Sequence, residues 1–149
     1  MTPIIPSHLK KIVPYEPGKP IEELQRELGL SDIIKLASNE SPFGPPSACV
    51  ERIKEAAETL NRYPDDSYYK LKHKVSEKFD VPGDNVIVGA GSAELIVYAA
   101  RALLGHQDYA AISEQTFIMY WLAVQSVNGH VIRVPLQNYT YDLESMAAA

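Results

Sequence analysis

The segment Val86–Glu94, Val-Ile-Val-Gly-Ala-Gly-Ser-Ala-Glu, constrains the fold of this chain more than any other part of its sequence. Three β-branched residues lead into two glycines, and helix-forming residues follow at once in Leu95–Leu104. A strand that enters a helix through a glycine turn leaves unpaired backbone N–H groups at the positive end of the helix dipole. The segment therefore predicts an anion site, occupied by the phosphate of a cofactor or a substrate.

The spacing of the two glycines leaves a second interpretation open. Gly89-x-Gly91-x-x-Glu94 follows a predicted strand, and Glu114 lies about twenty residues further on, where a dinucleotide-binding fold places its ribose-binding acid. That fingerprint requires Gly or Ala at its sixth position, whereas this chain has a carboxylate there. A phosphate-binding turn of another kind is favoured, and a purely structural turn is the third alternative.

Composition limits the classes of function. The chain has 149 residues, enough for one domain with a real core, and a formal net charge of −5, which argues against nucleic acid and anionic membranes as partners. Cys49 is the only cysteine, so no internal disulfide can form, as is typical of a reducing compartment. No apolar run of about 18 residues occurs, and the four histidines show no metal-ligand grouping. These features predict a cytoplasmic protein without a metal site.

Hydrophobic periodicity predicts the order of the elements. A proline-rich arm, 1–19, is followed by a helix from Pro20 to Leu28 and a short strand, Ile33–Ala37. The later predicted elements are helices 47–61 and 67–79, then strand 85–88, helix 92–104, strand 109–113, helix 117–128 and strand 130–134. This β-α-β-α-β order predicts a parallel sheet with its ligand at the carboxyl ends of the strands. A helix beginning near Tyr141 and the unclosed sheet edge predict the front part of a longer protein.

Four segments stand in a fixed order along the chain. They are Leu36–Gly44 (Leu-Ala-Ser-Asn-Glu-Ser-Pro-Phe-Gly), Arg62–Asp65 (Arg-Tyr-Pro-Asp), Gly89–Glu94, and Thr116–Tyr120 (Thr-Phe-Ile-Met-Tyr). Together with the arm segment Val13–Gly18 they resemble the N-terminal part of the histidinol-phosphate aminotransferases, a branch of the fold-type-I pyridoxal-phosphate (PLP) enzymes. The resemblance covers essentially the whole chain, and it is more specific for the aminotransferase superfamily than for this branch.

The resemblance implies an α/β architecture in two parts. Residues 1–46 would form an N-terminal arm and a small-domain segment. Residues 47–149 would form the first βαβαβ part of a PLP-binding large domain, a three-layer fold around a mainly parallel sheet, left incomplete at residue 149. The resemblance also implies a homodimer.

For the cofactor, the resemblance implies four binding residues. The turn at Ser92 and Ala93 would give backbone N–H groups to the PLP phosphate, and Phe117 would stack on the pyridine ring. Tyr63 would reach the phosphate bound by the partner subunit. Other interpretations remain: Phe117 as an ordinary core aromatic, Tyr63 as a half-buried turn residue, and Glu94 as a carboxylate that complements the helix dipole.

Two further residues are implied on the substrate side. Tyr15, in the arm, would help bind a substrate phosphate across the subunit interface. Asn39 would frame the substrate from its loop, although an Asx-turn that opens the proline-rich loop explains this residue equally well.

The lysine that such an enzyme needs for its Schiff base is implied to lie beyond residue 149, so the catalytic residues are absent from this chain. The nine lysines present lie in the arm, a short strand or charged helix faces. The implied reaction is transamination of an amino-alcohol phosphate, most specifically histidinol phosphate in histidine biosynthesis, with 2-oxoglutarate and glutamate as the amino partners. The alternatives are an aromatic aminotransferase, a phosphothreonine decarboxylase, or a non-catalytic α/β dinucleotide-binding or interaction module.

Overall fold

The computed structural model describes residues 4–36 and 38–149. The chain divides into two compact units, one made of Met1–Tyr15 with Tyr68–Ala149 and the other made of Glu16–Ser67. The domain boundary implied between residues 46 and 47 concerns the complete protein, and it stays a prediction.

The unit Glu16–Ser67 contains two helices, α1 (Ile21–Leu28) and α2 (Ser47–Ala56), the second continued by a 3-10 turn at Ala57–Thr59. Helix α1 ends at Leu28 as predicted but begins at Ile21, one residue later than predicted, because Pro20 is the N-cap, with an extended ψ of 147°. Gly29 ends it in the left-handed region with φ 65°. None of the described residues of this unit is buried.

The larger unit holds the remaining elements. After a 3-10 turn at Leu9–Lys11 these are α3 (Tyr69–Phe79), α4 (Ser92–Leu103), β1 (Tyr109–Ser113), α5 (Met119–Ser126), β2 (His130–Val134), β3 (Leu136–Gln137), β4 (Thr140–Tyr141) and α6 (Leu143–Ala148). Strands β1 and β2 pair in parallel, with Tyr109 opposite His130 and Ser113 opposite Val134. Helix α4 packs against α5, α5 contacts both strands, and α6 contacts β1. The predicted α/β class is therefore confirmed.

The buried core of the larger unit lies where α4, β1, α5 and β2 meet. Its apolar members are small or β-branched, which suits the close approach of helices to a parallel strand pair; they are Val86, Ala100, Ile112, Ala123, Val124 and Val134. Ser113, at the carboxyl end of β1, is the buried polar residue among the described residues. None of the helices formed by the described residues is both long enough and apolar enough to span a membrane.

The strand predicted at 85–88 is not formed, so the structure has two parallel strands where the pattern predicts three. Gly83–Asn85 form a 3-10 turn, and Val86 is extended, with φ −105° and ψ 119°, and buried. A strand exists only when it shares a hydrogen-bonded ladder with a neighbour. Among the described residues no strand pairs with this segment, and Ile87 is 71% exposed.

The strand predicted at Ile33–Ala37 is also wrong over its described part, and Ala37 lies outside the described residues. Ile34 and Leu36 are 88% and 89% exposed, so these side chains bury no apolar face in the described structure. The predicted helix 67–79 begins later, at Tyr69, because Tyr68 adopts a left-handed φ of 52°. The predicted helix 117–128 is shorter, Met119–Ser126, and Asn128 beyond it has φ 60°.

A short antiparallel hairpin, β3–β4, follows β2 and was not predicted from the sequence. Leu136 pairs with Tyr141 and Gln137 with Thr140. The two residues between the strands, Asn138 and Tyr139, both have positive φ, as a type I′ turn requires. The hairpin includes Tyr141, so the helix predicted to begin near that residue starts only at Leu143.

Candidate functional site

The glycine turn before α4 has the backbone shape that the sequence predicts for an anion site. Gly91 is the N-cap residue, with φ 93° and ψ 173°, a conformation that is essentially restricted to glycine. Its own N–H donates to the Gly89 carbonyl at 2.8 Å, which closes the turn. The Gly91 carbonyl accepts the first helical bond, from the Leu95 N–H at 3.4 Å. Helix α4 thus starts with Ser92.

The amides of Ser92, Ala93 and Glu94 form the open end of this helix. Within the described part of the chain no acceptor hydrogen-bonds to these three N–H groups, and no side chain caps the helix. Unpaired amides at the positive end of a helix dipole favour an anion, above all a phosphate with several acceptor oxygens. The residues present therefore fit the phosphate of a phosphorylated cofactor.

The side chain of Glu94 stabilises the glycine turn before α4 by a hydrogen bond within the chain. Its Oε2 accepts a hydrogen bond from the Ala90 N–H at 2.6 Å. This bond, with a second from the Tyr98 hydroxyl, holds the pKa of Glu94 below its ordinary value, and the same contact raises the pKa of Tyr98. The carboxylate acts as a local clamp, similar to the acidic residue of a capping box. The interpretation of Glu94 as a structural carboxylate fits this contact, and the sequence analysis missed the Ala90 amide as its partner.

Gly89 lies close to side chains of the first turn of α4. A Cβ placed on Gly89 would lie 3.0 Å from Glu94 Oε2 and 3.0 Å from Leu95 Cδ2. Any larger residue would therefore push against the clamp and against the first turn of α4.

Phe117 lies in the loop that connects β1 to α5, in the same unit as the glycine turn. Phe117 is 47% exposed in the described chain, which differs from the alternative of an ordinary core aromatic. Its carbonyl accepts from the Tyr120 N–H at 3.2 Å, at the start of α5. Tyr120 is 43% exposed.

The other residues implied by the resemblance are all exposed. Tyr15 is 52% exposed in the larger unit, and Tyr63 is fully exposed in the unit Glu16–Ser67, so the interpretation of Tyr63 as half-buried is wrong. Asn39 makes no side-chain hydrogen bond with the described residues, and Ser41 Oγ accepts from the Phe43 N–H at 3.4 Å instead. The local turn in this loop is therefore made by Ser41 and not by an Asn39 Asx-turn.

No lysine in the chain has the environment of a buried amine. All nine are exposed or partly exposed. Lys35, among the less exposed, pairs with Glu40 at 3.1 Å, and Lys19 pairs with Glu27 at 2.7 Å, which raises the pKa of Lys19. In the part of the chain that the structure describes, no three His, Cys, Asp or Glu side chains come together as a metal site.

Comparisons with known proteins agree with this fold. A solved histidinol-phosphate aminotransferase of Sinorhizobium meliloti, in complex with pyridoxal-5'-phosphate, superposes on 97% of this chain and 38% of its own, with a TM-score of 0.84 and 22% identity. At that identity the likeness shows the fold, which is the N-terminal part of an aminotransferase. The model of the aminotransferase class I and II family matches residues 31–149. The chain belongs to the aminotransferase class I and II family.

Relatives in sequence are similar over nearly the whole chain. The histidinol-phosphate aminotransferase of Moorella thermoacetica is 44% identical over 138 residues, 93% of this chain and 36% of that protein. Histidinol-phosphate aminotransferase 2 of Pasteurella multocida is 39% identical over 146 residues, 98% of this chain and 40% of that protein. The resemblance is thereby confirmed, and the alternative of a dinucleotide-binding module is contradicted. The chain spans about two fifths of the length of these relatives.

Proposed function

We propose that this chain is the N-terminal part of a PLP-dependent aminotransferase that transfers the amino group between histidinol phosphate and 2-oxoglutarate in histidine biosynthesis. The observation that carries the proposal is the turn at Gly89–Glu94, with its three unpaired amides at the start of α4. Sequence identity of 44% to a histidinol-phosphate aminotransferase supports the choice of substrate. The complete enzyme would be a cytoplasmic homodimer.

In this proposal the turn holds the phosphate of PLP. The amides of Ser92 and Ala93 donate to its oxygens, and Gly91 gives the backbone the shape that aims both amides the same way. Glu94 keeps its carboxylate on the Ala90 amide, and this hydrogen bond stabilises the ionised carboxylate next to the turn.

The other residues position the ring and the substrate. Phe117 offers an apolar face that keeps a flat ring in one orientation. Tyr63, on an exposed turn, donates a hydrogen bond from its phenol hydroxyl to the phosphate in the partner subunit's site. Tyr15 and Asn39 border the substrate. PLP, when bound, supplies the electron sink for the transamination.

The phosphate site is tested in the complete protein with Ala93→Pro. Proline is tolerated in the first turn of a helix and removes one N–H donor. Loss of a charge-assisted hydrogen bond costs about 1.5–3 kcal/mol, so we expect PLP to bind about ten- to a hundredfold more weakly, measured by fluorescence titration of the apoenzyme.

Ala93→Gly is the matched control, because glycine weakens the helix slightly but keeps the donor. PLP affinity unchanged in Ala93→Pro, with the fold intact by circular dichroism, would contradict the phosphate site. The substrate is tested separately by comparing kcat/KM for histidinol phosphate with kcat/KM for aromatic amino acids. A preference for the aromatic amino acids would contradict the proposed substrate but not the cofactor site.

A further inference from the structure

The turn at Gly89–Gly91 has few backbone hydrogen bonds, although the proposed phosphate site depends on its shape. The Gly91 N–H donates to the Gly89 carbonyl at 2.8 Å, and the Leu95 N–H donates to the Gly91 carbonyl at 3.4 Å. No described atom lies within 4 Å of the position that a Cβ on Gly91 would occupy. Glycine loses more backbone freedom on folding than any other residue, so these two bonds give the turn little rigidity.

The side chain of Glu94 supplies a further contact to this turn. Its Oε2 accepts from the Ala90 N–H at 2.6 Å, a short, charge-assisted hydrogen bond between the turn and the start of α4. The same oxygen lies 3.0 Å from the position that a Cβ on Gly89 would occupy, so the carboxylate lies close to that glycine. The hydroxyl of Tyr98, four residues further along α4, also binds the carboxylate. Glu94 therefore joins the glycine turn to the first two turns of α4.

The negative charge of Glu94 by itself opposes an anion at this helix start. The hydrogen bonds from Ala90 and Tyr98 stabilise the ionised carboxylate and hold the pKa of Glu94 below its ordinary value, so Glu94 is charged at neutral pH. Like charges repel, so a carboxylate in the first turn of α4 weakens the binding of a phosphate at the Ser92 and Ala93 amides. A carboxylate that holds the turn in shape has the opposite effect. Substitution of Glu94 distinguishes the two roles by the sign of the change in affinity.

We propose that Glu94, oriented by the Tyr98 hydroxyl, is a positioning residue for the phosphate of PLP. The carboxylate holds the Ala90 peptide against the start of α4, and the fixed turn directs the Ser92 and Ala93 amides to one phosphate. The Ala90 amide points to Glu94, so it supports the site and is not one of the phosphate donors. This role rests on the proposed function, whereas the hydrogen bond between Glu94 and Ala90 rests on the geometry alone.

The test compares Glu94→Ala with Glu94→Gln in the complete protein. Alanine removes the acceptor and loosens the turn, so we expect PLP to bind the apoenzyme about five- to tenfold more weakly, measured by fluorescence titration. Glutamine keeps a carbonyl oxygen for the Ala90 N–H and removes the repelling charge, so its PLP affinity should equal or exceed that of the wild type. Tyr98→Phe leaves the carboxylate less well oriented and should weaken PLP binding about two- to fivefold.

Two further measurements separate positioning from a general loss of stability. The phosphorus NMR resonance of bound PLP reports on the hydrogen bonds to its phosphate; it should shift in Glu94→Ala and return in Glu94→Gln. In the apoenzyme, amide hydrogen exchange at Ala90 should be faster in Glu94→Ala than in the wild type. The matched control is Glu144→Ala, which removes a carboxylate from the first turn of α6. It should leave the PLP affinity and the phosphorus resonance unchanged.

Three outcomes would contradict this role in different ways. PLP affinity that is unchanged or higher in Glu94→Ala would overturn positioning, because the carboxylate would then act only as a repelling charge. Equal weakening in Glu94→Gln and Glu94→Ala would overturn the hydrogen bond to Ala90 as the cause. If the wild-type apoenzyme takes up no PLP, the proposed function fails together with the positioning role, while hydrogen exchange at Ala90 still decides whether Glu94 fixes the turn.

Discussion

Gly91 has φ 93° and ψ 173°, a backbone conformation that residues with a Cβ rarely adopt. We expect Gly91→Ala to destabilise the complete protein by about 1–3 kcal/mol, measured by urea unfolding, although the added methyl group has open space. Gly83→Ala is the control, because that glycine also has open space and its φ is not positive. Equal stability of the two variants would contradict backbone strain as the reason for glycine at residue 91.

Individual residues of the turn could be predicted because the signal is local. The two glycines and the helix start lie within a few positions of one another, so the turn and the start of α4 at Ser92 follow from the pattern. The assignment of Ser92 and Ala93 to the PLP phosphate came from the resemblance and stays a prediction. The Glu94 clamp on the Ala90 amide was not predicted, since it depends on the rotamer of one side chain. The burial of Ser113 was likewise not predicted, because this residue lies opposite Val134 of β2, which comes later in the chain.

At the scale of the element, α6 is stabilised by an aspartate at its N-cap. Asp142 Oδ1 accepts from the Ser145 N–H at 2.9 Å, and Oδ2 accepts from the Ser145 hydroxyl at 2.8 Å. These bonds hold the pKa of Asp142 below its ordinary value of 3.8, and the bond from the Ser145 backbone N–H has the largest effect. The pKa of Asp142 is lower in the folded protein than in the unfolded chain, so the cap stabilises α6 fully above the ordinary aspartate range. This stabilisation is lost as the pH falls through the pKa that Asp142 has in the folded protein.

The expected outcome is a helix α6 that frays in acid. The measurement is amide hydrogen exchange of Ser145 and Met146 in the complete protein, at pH 7 and in the acid range below the ordinary aspartate pKa, corrected for intrinsic exchange rates. Asp142→Ala should raise exchange at both pH values. Asp142→Asn keeps a cap that does not titrate, so its protection should stay constant. A pH dependence that persists in Asp142→Asn would show that another group is responsible.

Helices whose start or end is marked by proline or glycine could be predicted from the sequence. A strand is harder to predict, because it also depends on a neighbouring strand to pair with. Helix α1 has Pro20 and Gly29 at its ends, and α4 follows the glycine turn, so both bounds agree with the pattern within a residue. The strand predicted at 85–88 required a neighbouring strand that the described residues do not supply. The β3–β4 hairpin was missed because its turn is Asn138-Tyr139, in place of the usual Asn-Gly, with Tyr139 at φ 60°.

At the scale of the whole molecule, large apolar side chains remain on the surface of the described chain. Ile34, Leu36, Phe43 and Leu60 are each at least 79% exposed. The chain covers 36% of the length of its relative from Moorella thermoacetica, so we propose that the rest of the protein or a partner subunit covers these residues. The nine lysines of this chain are exposed or partly exposed in the described structure, and the Schiff-base lysine that the resemblance implies beyond residue 149 stays a prediction.

The composite sites of the proposed homodimer lead to the last prediction. Tyr63 is fully exposed, and the resemblance assigns it to the phosphate held by the other subunit. In the homodimer, Tyr63→Phe should keep the ring but remove one hydrogen bond to an anion, which weakens PLP binding by about 1.5–3 kcal/mol. The sharper test is a mixed dimer in which one subunit carries Tyr63→Phe and the other lacks the Schiff-base lysine. The competent site then takes its tyrosine from the second subunit, so it should bind PLP as the wild type does.

The matched arrangement puts both changes in one chain and pairs it with a wild-type chain. The competent site now belongs to the wild-type chain but receives phenylalanine from its partner, so it should show the full defect of the Tyr63→Phe homodimer. PLP affinity of the competent site is measured in both mixed dimers, isolated with two different affinity tags. If the defect instead follows the chain that carries both the lysine and Tyr63→Phe, Tyr63 acts within its own subunit. The two arrangements contain the same substitutions in the same numbers, so a difference between them reports only which chain supplies the tyrosine.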